Sequence, residues 1–214
     1  MAREHSAATL HPLEVKVLLG FSAGEQVYPA IIVDRLQLNT GQANQAVSWL
    51  AQKEYLEEID RSIRVSFELT ELGEDYRTKG FPEERMIRQF SESGALSLPD
   101  LAKATDLPNK DVGSAYGALA KAGAASMDAE KRVSISVEKL PPYCDTIRSL
   151  LDKAADGIRL NQEDLTEEER AIMSGISKKR GASVVPFRLV EREEVIYTVS
   201  SAGVDAAKEL AKEG

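Results

Sequence analysis

Apolar residues recur at helical spacing in some stretches of the chain and at strand spacing in others. The alternation lays out its elements. Leu13, Val17, Leu18 and Phe21 sit three or four apart behind Pro12, a favourable first-turn residue, and predict a helix. PAIIVDRL from Pro29 predicts a second short helix, and QLNTG a turn in which Thr40 is the N-cap of a third. That third helix runs to about Lys53, with Ala43, Ala46, Val47 and Leu50 inward and Gln45, Ser48 and Gln52 outward. YLEEI, a turn at Asp60-Arg61-Ser62, and IRVSFEL then predict a hairpin. In it Ile63, Val65, Phe67 and Leu69 alternate with polar residues, the period of a half-buried strand. Three helices and a hairpin describe a winged helix-turn-helix. Thr70 ends the strand by capping a further helix.

Much of this pattern recurs. LAQKEYL at 50–56 matches LAKAGAA at 119–125, and the register carries backwards without a gap. Leu38 then falls on Leu107, Ala46 on Ala115, and Phe21-Ser22 on Phe90-Ser91. A second echo pairs FELTELGED at 67–75 with YTVSSAGVD at 197–205: strand, hydroxyl residue, two residues, glycine, helix. The chain therefore reads as three copies of one unit. The expected fold class is α+β, mainly helical, with three tandem winged helix-turn-helix modules at 1–80, 81–140 and 141–214.

The third copy diverges most. Ile147, Leu150, Leu151 and Ala154 mark its first helix, and Thr166 with Glu169 forms a capping box for its third. Lys178, Lys179 and Arg180 close that helix, where cations complement the dipole, and Gly181 stops it. VVPFRLV and VIYTV, joined by EREE, read as its hairpin. The middle copy has no capped helix after RVSISV but runs into EKLPPY, where Pro141-Pro142 reads as a stiff linker and a domain boundary.

Composition narrows the function classes. With 43% hydrophobic and 29% charged residues the chain is an ordinary soluble one. No apolar run approaches the roughly 20 residues that span a bilayer. The N-terminal MAREHSAATL lacks the apolar core of a secretory signal, and the single cysteine, Cys144, fits a reducing compartment, so a cytoplasmic location without membrane partners is expected. The formal net charge of −8 argues against a generic phosphate binder, because such affinity comes from neutralising phosphates.

No catalytic constellation emerges. His11 just precedes Pro12 and reads as a helix-start residue; His5 lies near the N-terminus. Cys144 follows PPY at a helix start and reads as structural. The histidines and the cysteine lack metal-ligand spacing, there is no phosphate loop or GxGxxG, and TEEER at 166–170 is a helix first turn. Trp49 is expected to pack against the hairpin. No metal, cofactor or catalytic residue is expected in this segment.

The nucleic-acid candidates are the hairpin tips, Arg61 with Arg64 and Lys131 with Arg132, and the cluster Lys178, Lys179 and Arg180. Third helices of this fold usually read base edges. Here the first offers Gln42, Asn44, Gln45, Ser48 and Gln52 without arginine, and the second only Lys110 and Lys121. Such a set suits shape-directed backbone contact better than DNA sequence readout.

LTELGEDYRTKGFPEERMI at 69–87, with LHPLEVKVL at 10–18, resembles the N-terminal extension of the α subunit of phenylalanyl-tRNA synthetase of the archaeal and eukaryotic cytosolic type. In that family the boundary between the first two modules reads Leu-Thr-x-x-Gly, a short helix, then Gly-x-Pro-Glu. Here these are Leu69, Thr70 and Gly73, then Gly80, Pro82 and Glu83. The resemblance implies three winged-helix-like modules that contact the tRNA elbow, in a heterotetrameric ligase charging tRNA with phenylalanine. The catalytic domain, with its class II arginines, and the β subunit would be the protein partners. Two other readings of the same residues are a winged-helix DNA-binding regulator and a tandem winged-helix interaction scaffold.

Overall fold

Capping chemistry sets most helix boundaries in the computed structural model, which describes residues 9–213. In chain order the helices are α1 (Pro12–Gly20), α2 (Pro29–Leu36), α3 (Thr40–Gln52), α4 (Glu71–Lys79), α5 (Pro82–Ser93), α6 (Leu98–Thr105), α7 (Asn109–Lys121), α8 (Tyr143–Lys153), α9 (Glu167–Ile176) and α10 (Ser201–Glu213). The strands are β1 (Leu56–Leu69), β2 (Leu96–Ser97), β3 (Ala125–Met127), β4 (Arg132–Ile135), β5 (Leu160–Asn161), β6 (Ser177–Lys178) and β7 (Phe187–Val199). The protein is α+β, with small sheets. The chain groups into two compact units, Met1–Arg64 with Arg192–Gly214, and Val65–Glu191. Strands β1 and β7 contribute residues to both.

In the first unit α1, α2 and α3 surround Val17, Leu18, Ile32, Ala43, Ala46 and Leu50, all nearly inaccessible to solvent. His11 opens α1 as expected: its Nδ1 accepts from Leu13 N, while Glu14 accepts from His11 N. Asn39, not Thr40, caps α3, in a box with Gln42. Asn39 has the extended backbone that an N-cap requires, and Thr40 is already helical. The sheet of this unit is completed from far along the chain. Val27 pairs antiparallel with Tyr197 of β7, β7 lies beside β1, and α10 packs on α1.

This corrects both expected outer hairpins. Asp60-Arg61-Ser62 is no turn but the middle of the continuous strand β1, and Glu191–Glu194 is the middle of β7. Neither stretch holds a residue at positive φ, which tight two-residue hairpin turns need. The polar runs that read as turns are the solvated stretches of two strands adjacent in one sheet.

The second unit contains two sets of elements. In the first, α5, α6 and α7 pack with a three-stranded sheet of order β2-β4-β3, with Leu96 opposite Val133 and Met127 opposite Val133 on the other side. Its match to the first unit is residue by residue. Leu38 and Leu107 are buried behind the left-handed residues Gln37 and Asp106, and Leu50 and Leu119 are both fully buried. The carbonyls of Leu50 and Leu119 accept from Tyr55 N and Ala124 N, both at 2.9 Å.

The other set has α8, a 3-10 turn at Gln162–Asp164, and α9, which Thr166 and Glu169 open with the expected capping box. Its sheet runs β5-β1-β7-β6, with Phe67 opposite Leu160, and α4 packs on α8. Helix α9 stops at Ile176, so Lys178 lies in β6 and Lys179 and Arg180 in the following turn, rather than on a helix end. Ser177 has extended backbone and its hydroxyl donates to Met173 O, which ends the helix before the cations. Pro141 and Pro142 lie inside this unit, directly before α8.

The echo between 67–75 and 197–205 is a shared corner. Thr70 Oγ1 accepts from Gly73 N and donates to Val185 O, while Thr70 N donates to Pro186 O. Ser200 Oγ accepts from Gly203 N and donates to Glu54 O, while Ser200 N donates to Tyr55 O. Each glycine is forced by closeness: a Cβ would lie 2.0 Å from Pro186 O at Gly73 and 2.3 Å from Tyr55 O at Gly203. The corner after Thr70 continues as the sequence indicates. Gly80 ends α4 at φ +101 and Pro82 starts α5.

Candidate nucleic-acid interface

Each candidate cation is exposed, but most face a carboxylate of the same chain. Arg61 on β1 pairs with Glu58 at 2.8 Å and with Glu193 of β7 at 2.7 Å. The hydrogen bonds it donates to the Glu58 and then the Glu193 carboxylate push its pKa up, and Arg61 in turn lowers that of Glu58. Arg64 pairs with Glu194 at 2.6 Å. These two arginines belong to a ribbon that also exposes Glu57, Asp60, Ile59 and Ile63, the isoleucines at 50% and 66% exposure. The ribbon is thus an ion-paired, partly apolar surface, not a pair of basic tips.

Lys131 and Arg132 do occupy a tight turn, between β3 and β4. Lys131 takes positive φ (60°), and Asp128 organises the turn by accepting from Glu130 N and Arg132 N at 2.9 Å each. Those backbone bonds, led by Arg132 N, hold the Asp128 carboxyl below its usual range. Arg132 also pairs with Asp128 and Glu130 at 2.9 Å. Lys179 pairs with Glu191 at 2.6 Å. Among the described residues Lys131, Lys178 and Arg180 make no ion pair.

The third-helix positions differ between the sets. On α3 Asn44, Gln45, Ser48 and Gln52 are exposed and make no hydrogen bond to the described residues, whereas Gln42 is held in the cap. On α7 Lys110 and Lys121 are exposed at either end, with Gly113 and Gly117 between them facing open space. One basic cavity escaped the sequence reading. A space of about 290 Å³ is lined by Lys79, Arg85, Arg88, Glu92 and Asp106, among others. Its arginines serve the corner beneath it: Arg85 donates to Gly80 O and Asp75, and Arg88 to Lys79 O. The signal was the helix C-terminus before Gly80, whose orphan carbonyls need donors.

Cys144 is buried, and burial together with the nearby Glu83 pushes its thiol up to about 12, the opposite of a reactive thiolate. The Trp49 and His11 rings lie tilted at 48° with centroids 5.0 Å apart, so Trp49 packs on the start of α1. His5 lies outside the described residues. Among the described residues no three His, Cys, Asp or Glu side chains could hold a metal, and no helix is long and apolar enough to cross a membrane.

Comparison with known proteins gives a single answer. Over 205 residues, 95% of its length, the chain is 35% identical to the phenylalanine--tRNA ligase alpha subunit of Borreliella burgdorferi, of which the match covers 38%. It is 37% identical over 221 aligned positions to the same-named subunit of Treponema pallidum, covering 88% of this chain and 40% of the relative. That of Methanococcus maripaludis is 29% identical over 165 positions, 76% of this chain and 30% of the relative. The homologues are phenylalanine–tRNA ligase α subunits, and the chain spans about two fifths of the length of the first curated relatives it matches. No family model matches the chain.

Proposed function

We propose that this chain is the N-terminal, non-catalytic, tRNA-contacting segment of a phenylalanine–tRNA ligase α subunit of the archaeal and eukaryotic cytosolic type. The observation that carries this reading is the similarity along 95% of the chain to only 38% of such a subunit. Three winged modules, whose first three helices lie within 1–80, 81–140 and 141–214, form the contact surface. What supports them is the strand order shared by all three sets of elements: β2-β4-β3 in the middle, Val27-β7-β1 in the first unit, β5-β1-β7 in the third set.

In this reading the segment binds no cofactor and supplies no reacting group. It holds the tRNA elbow for a catalytic domain and a β subunit, in the cytoplasm. Phosphates are met by Arg61, Arg64, Lys131, Arg132, Lys178, Lys179 and Arg180, of which Lys131, Lys178 and Arg180 need break no ion pair. Purified chain therefore binds tRNA in preference to duplex DNA of matched length, with an affinity that falls steeply with salt. Each phosphate contact adds roughly 0.7–0.9 to the slope of log affinity against log salt. Replacing Lys178, Lys179 and Arg180 by alanine weakens binding and flattens the slope in a folded protein. Unchanged affinity and slope would remove this cluster from the site, and equal binding to duplex DNA would overturn the tRNA reading.

A second reading, the interaction scaffold, draws on the ribbon of β1 and β7. Its arginines are neutralised internally and its isoleucines are exposed. A chain that bound no nucleic acid at low salt would favour it.

A further inference from the structure

The middle of β1 is a strand with one side unused. Strand β5 meets β1 only at Ser66 and Phe67, and β7 takes the other side. Among the described residues no strand therefore lies along the outer edge from Glu57 to Arg64. One amide marks that edge. Asp60 Oδ1 accepts from Arg61 N at 2.8 Å, a side chain standing in for a ladder partner. Backbone groups alternate in direction along a strand, so the N–H and C=O groups of Ile59 and Ile63 face the same edge as those of Arg61. The two isoleucines are 50% and 66% exposed. Open edges are normally guarded by lysine, proline, a bulge or shortness. Strand β1 has 14 residues with no lysine, no proline and no residue at positive φ. Its arginines do not guard it either, since Arg61 and Arg64 are turned to Glu193 and Glu194 of β7.

We propose that this edge docks an extended protein segment with alternating apolar and basic side chains, which adds to β1 as a further strand. The segment's backbone pairs with Ile59, Arg61 and Ile63, and the Arg61 N–H exchanges the Asp60 carboxylate for a peptide carbonyl. Its apolar side chains cover the two isoleucines, which share one face of β1. Its cations meet Glu57 and Asp60, both exposed and in no ion pair among the described residues. Charge chooses this occupant. With Arg61 and Arg64 neutralised across the ribbon, what remains along the edge is acidic. A second copy of the chain brings the same carboxylates and a net charge of −8, and a nucleic acid brings phosphates and no strand backbone. The inference needs no nucleic acid; it rests on the interaction reading of the ribbon and gives that reading a ligand of defined chemistry.

The test titrates the 214-residue chain with two short synthetic peptides of equal valine and lysine content, one alternating and one with valines and lysines in separate blocks. The alternating peptide binds at least about tenfold more tightly, because only alternation puts every valine on one face. It slows hydrogen exchange at the amides of Ile59, Arg61 and Ile63, while those of Asp60 and Ser62, turned to β7, change little. Ile59→Lys with Ile63→Lys, at exposed positions, abolishes the preference. Glu57→Gln with Asp60→Asn lowers the affinity about three- to tenfold, the worth of two cross-strand charge pairs, and flattens its salt dependence. Circular dichroism confirms that each variant is folded. Equal binding of the two peptides, or a preference that survives the isoleucine substitutions, overturns the docking site and leaves the tRNA role untouched. Sedimentation separates the ribbon from its occupant. A dimer of the unaltered chain that the isoleucine substitutions dissolve keeps the ribbon as an interaction surface but overturns the assigned segment in favour of a second copy. A monomer that binds neither peptide removes both.

Discussion

Residues 82–135 and residues 12–52 start from the same three-helix plan but close their sheets in different ways. The middle set takes β2, β3 and β4 from its own neighbourhood, and Asp128 organises a real turn between the last two. The first set reaches β7, whose Tyr197 pairs with Val27 across most of the chain. Helix packing is equivalent in both, down to Leu50 and Leu119. The plan of helices is therefore local information, whereas the source of the third strand is not.

Removing residues 192–214 probes this contrast most severely. It takes from the first unit the strand that pairs with Val27 and the helix on α1, while Val65–Glu191 stays whole. We expect the truncated chain to lose the cooperative melting of the first unit and to keep that of the second, by calorimetry and by dispersion of amide resonances. Two intact transitions would show that the first set closes without β7.

Leu50→Ala and Leu119→Ala sharpen the part that is shared. Both side chains are fully buried at matched positions, so each loses about 2–5 kcal/mol in chemical denaturation. A large gap between them would deny the equivalence of the helical plans.

The glycines separate what the corners need from what they do not. Gly73→Ala and Gly203→Ala drive a methyl into a backbone carbonyl and should cost about 3 kcal/mol each. Gly113→Ala and Gly117→Ala on α7 meet open space within a helix, and should stabilise by about 0.5–1 kcal/mol each. Equal costs at all four would contradict the close approach at the two corners.

Arg61→Ala is the mildest change. Its ion pairs lie in solvent, so the melting midpoint should stay where it is, while Glu58 loses the partner that lowers its pKa. A resonance of Glu58 that titrates at unchanged pH after the substitution would show that the pair does not persist in solution.

These comparisons also mark how far the sequence could be read. Helices α1, α2, α3 and α9 were legible because apolar spacing and caps are local properties of the chain. The corner Thr70–Gly80–Pro82 was legible for the same reason. The two hairpins were misread because a solvated strand and a polar turn share a composition. What distinguishes them is the partner, and Glu193 is far in sequence from Arg61. One signal did exist: the echo between FELTELGED and YTVSSAGVD, which marks two corners of one kind, one in each unit. The candidate cations were legible as residue types, but their neutralisation by Glu193, Glu194 and Glu191 was not.

The dependence of the first unit on β7 has a temporal side. A ribosome delivers α1, α2 and α3 early, yet the strand that pairs with Val27 follows only after Val65–Glu191 has been made. At about 5–20 residues per second that interval is roughly 6–25 s. Helix formation and collapse take microseconds, so the first three helices wait with an open sheet edge until β7 has been made. The uncharged surface of α3 and the apolar residues around Val27 are then exposed to chaperones and to other nascent chains. Expression yield, more than equilibrium stability, is where a slower passage through the middle of the message would be felt.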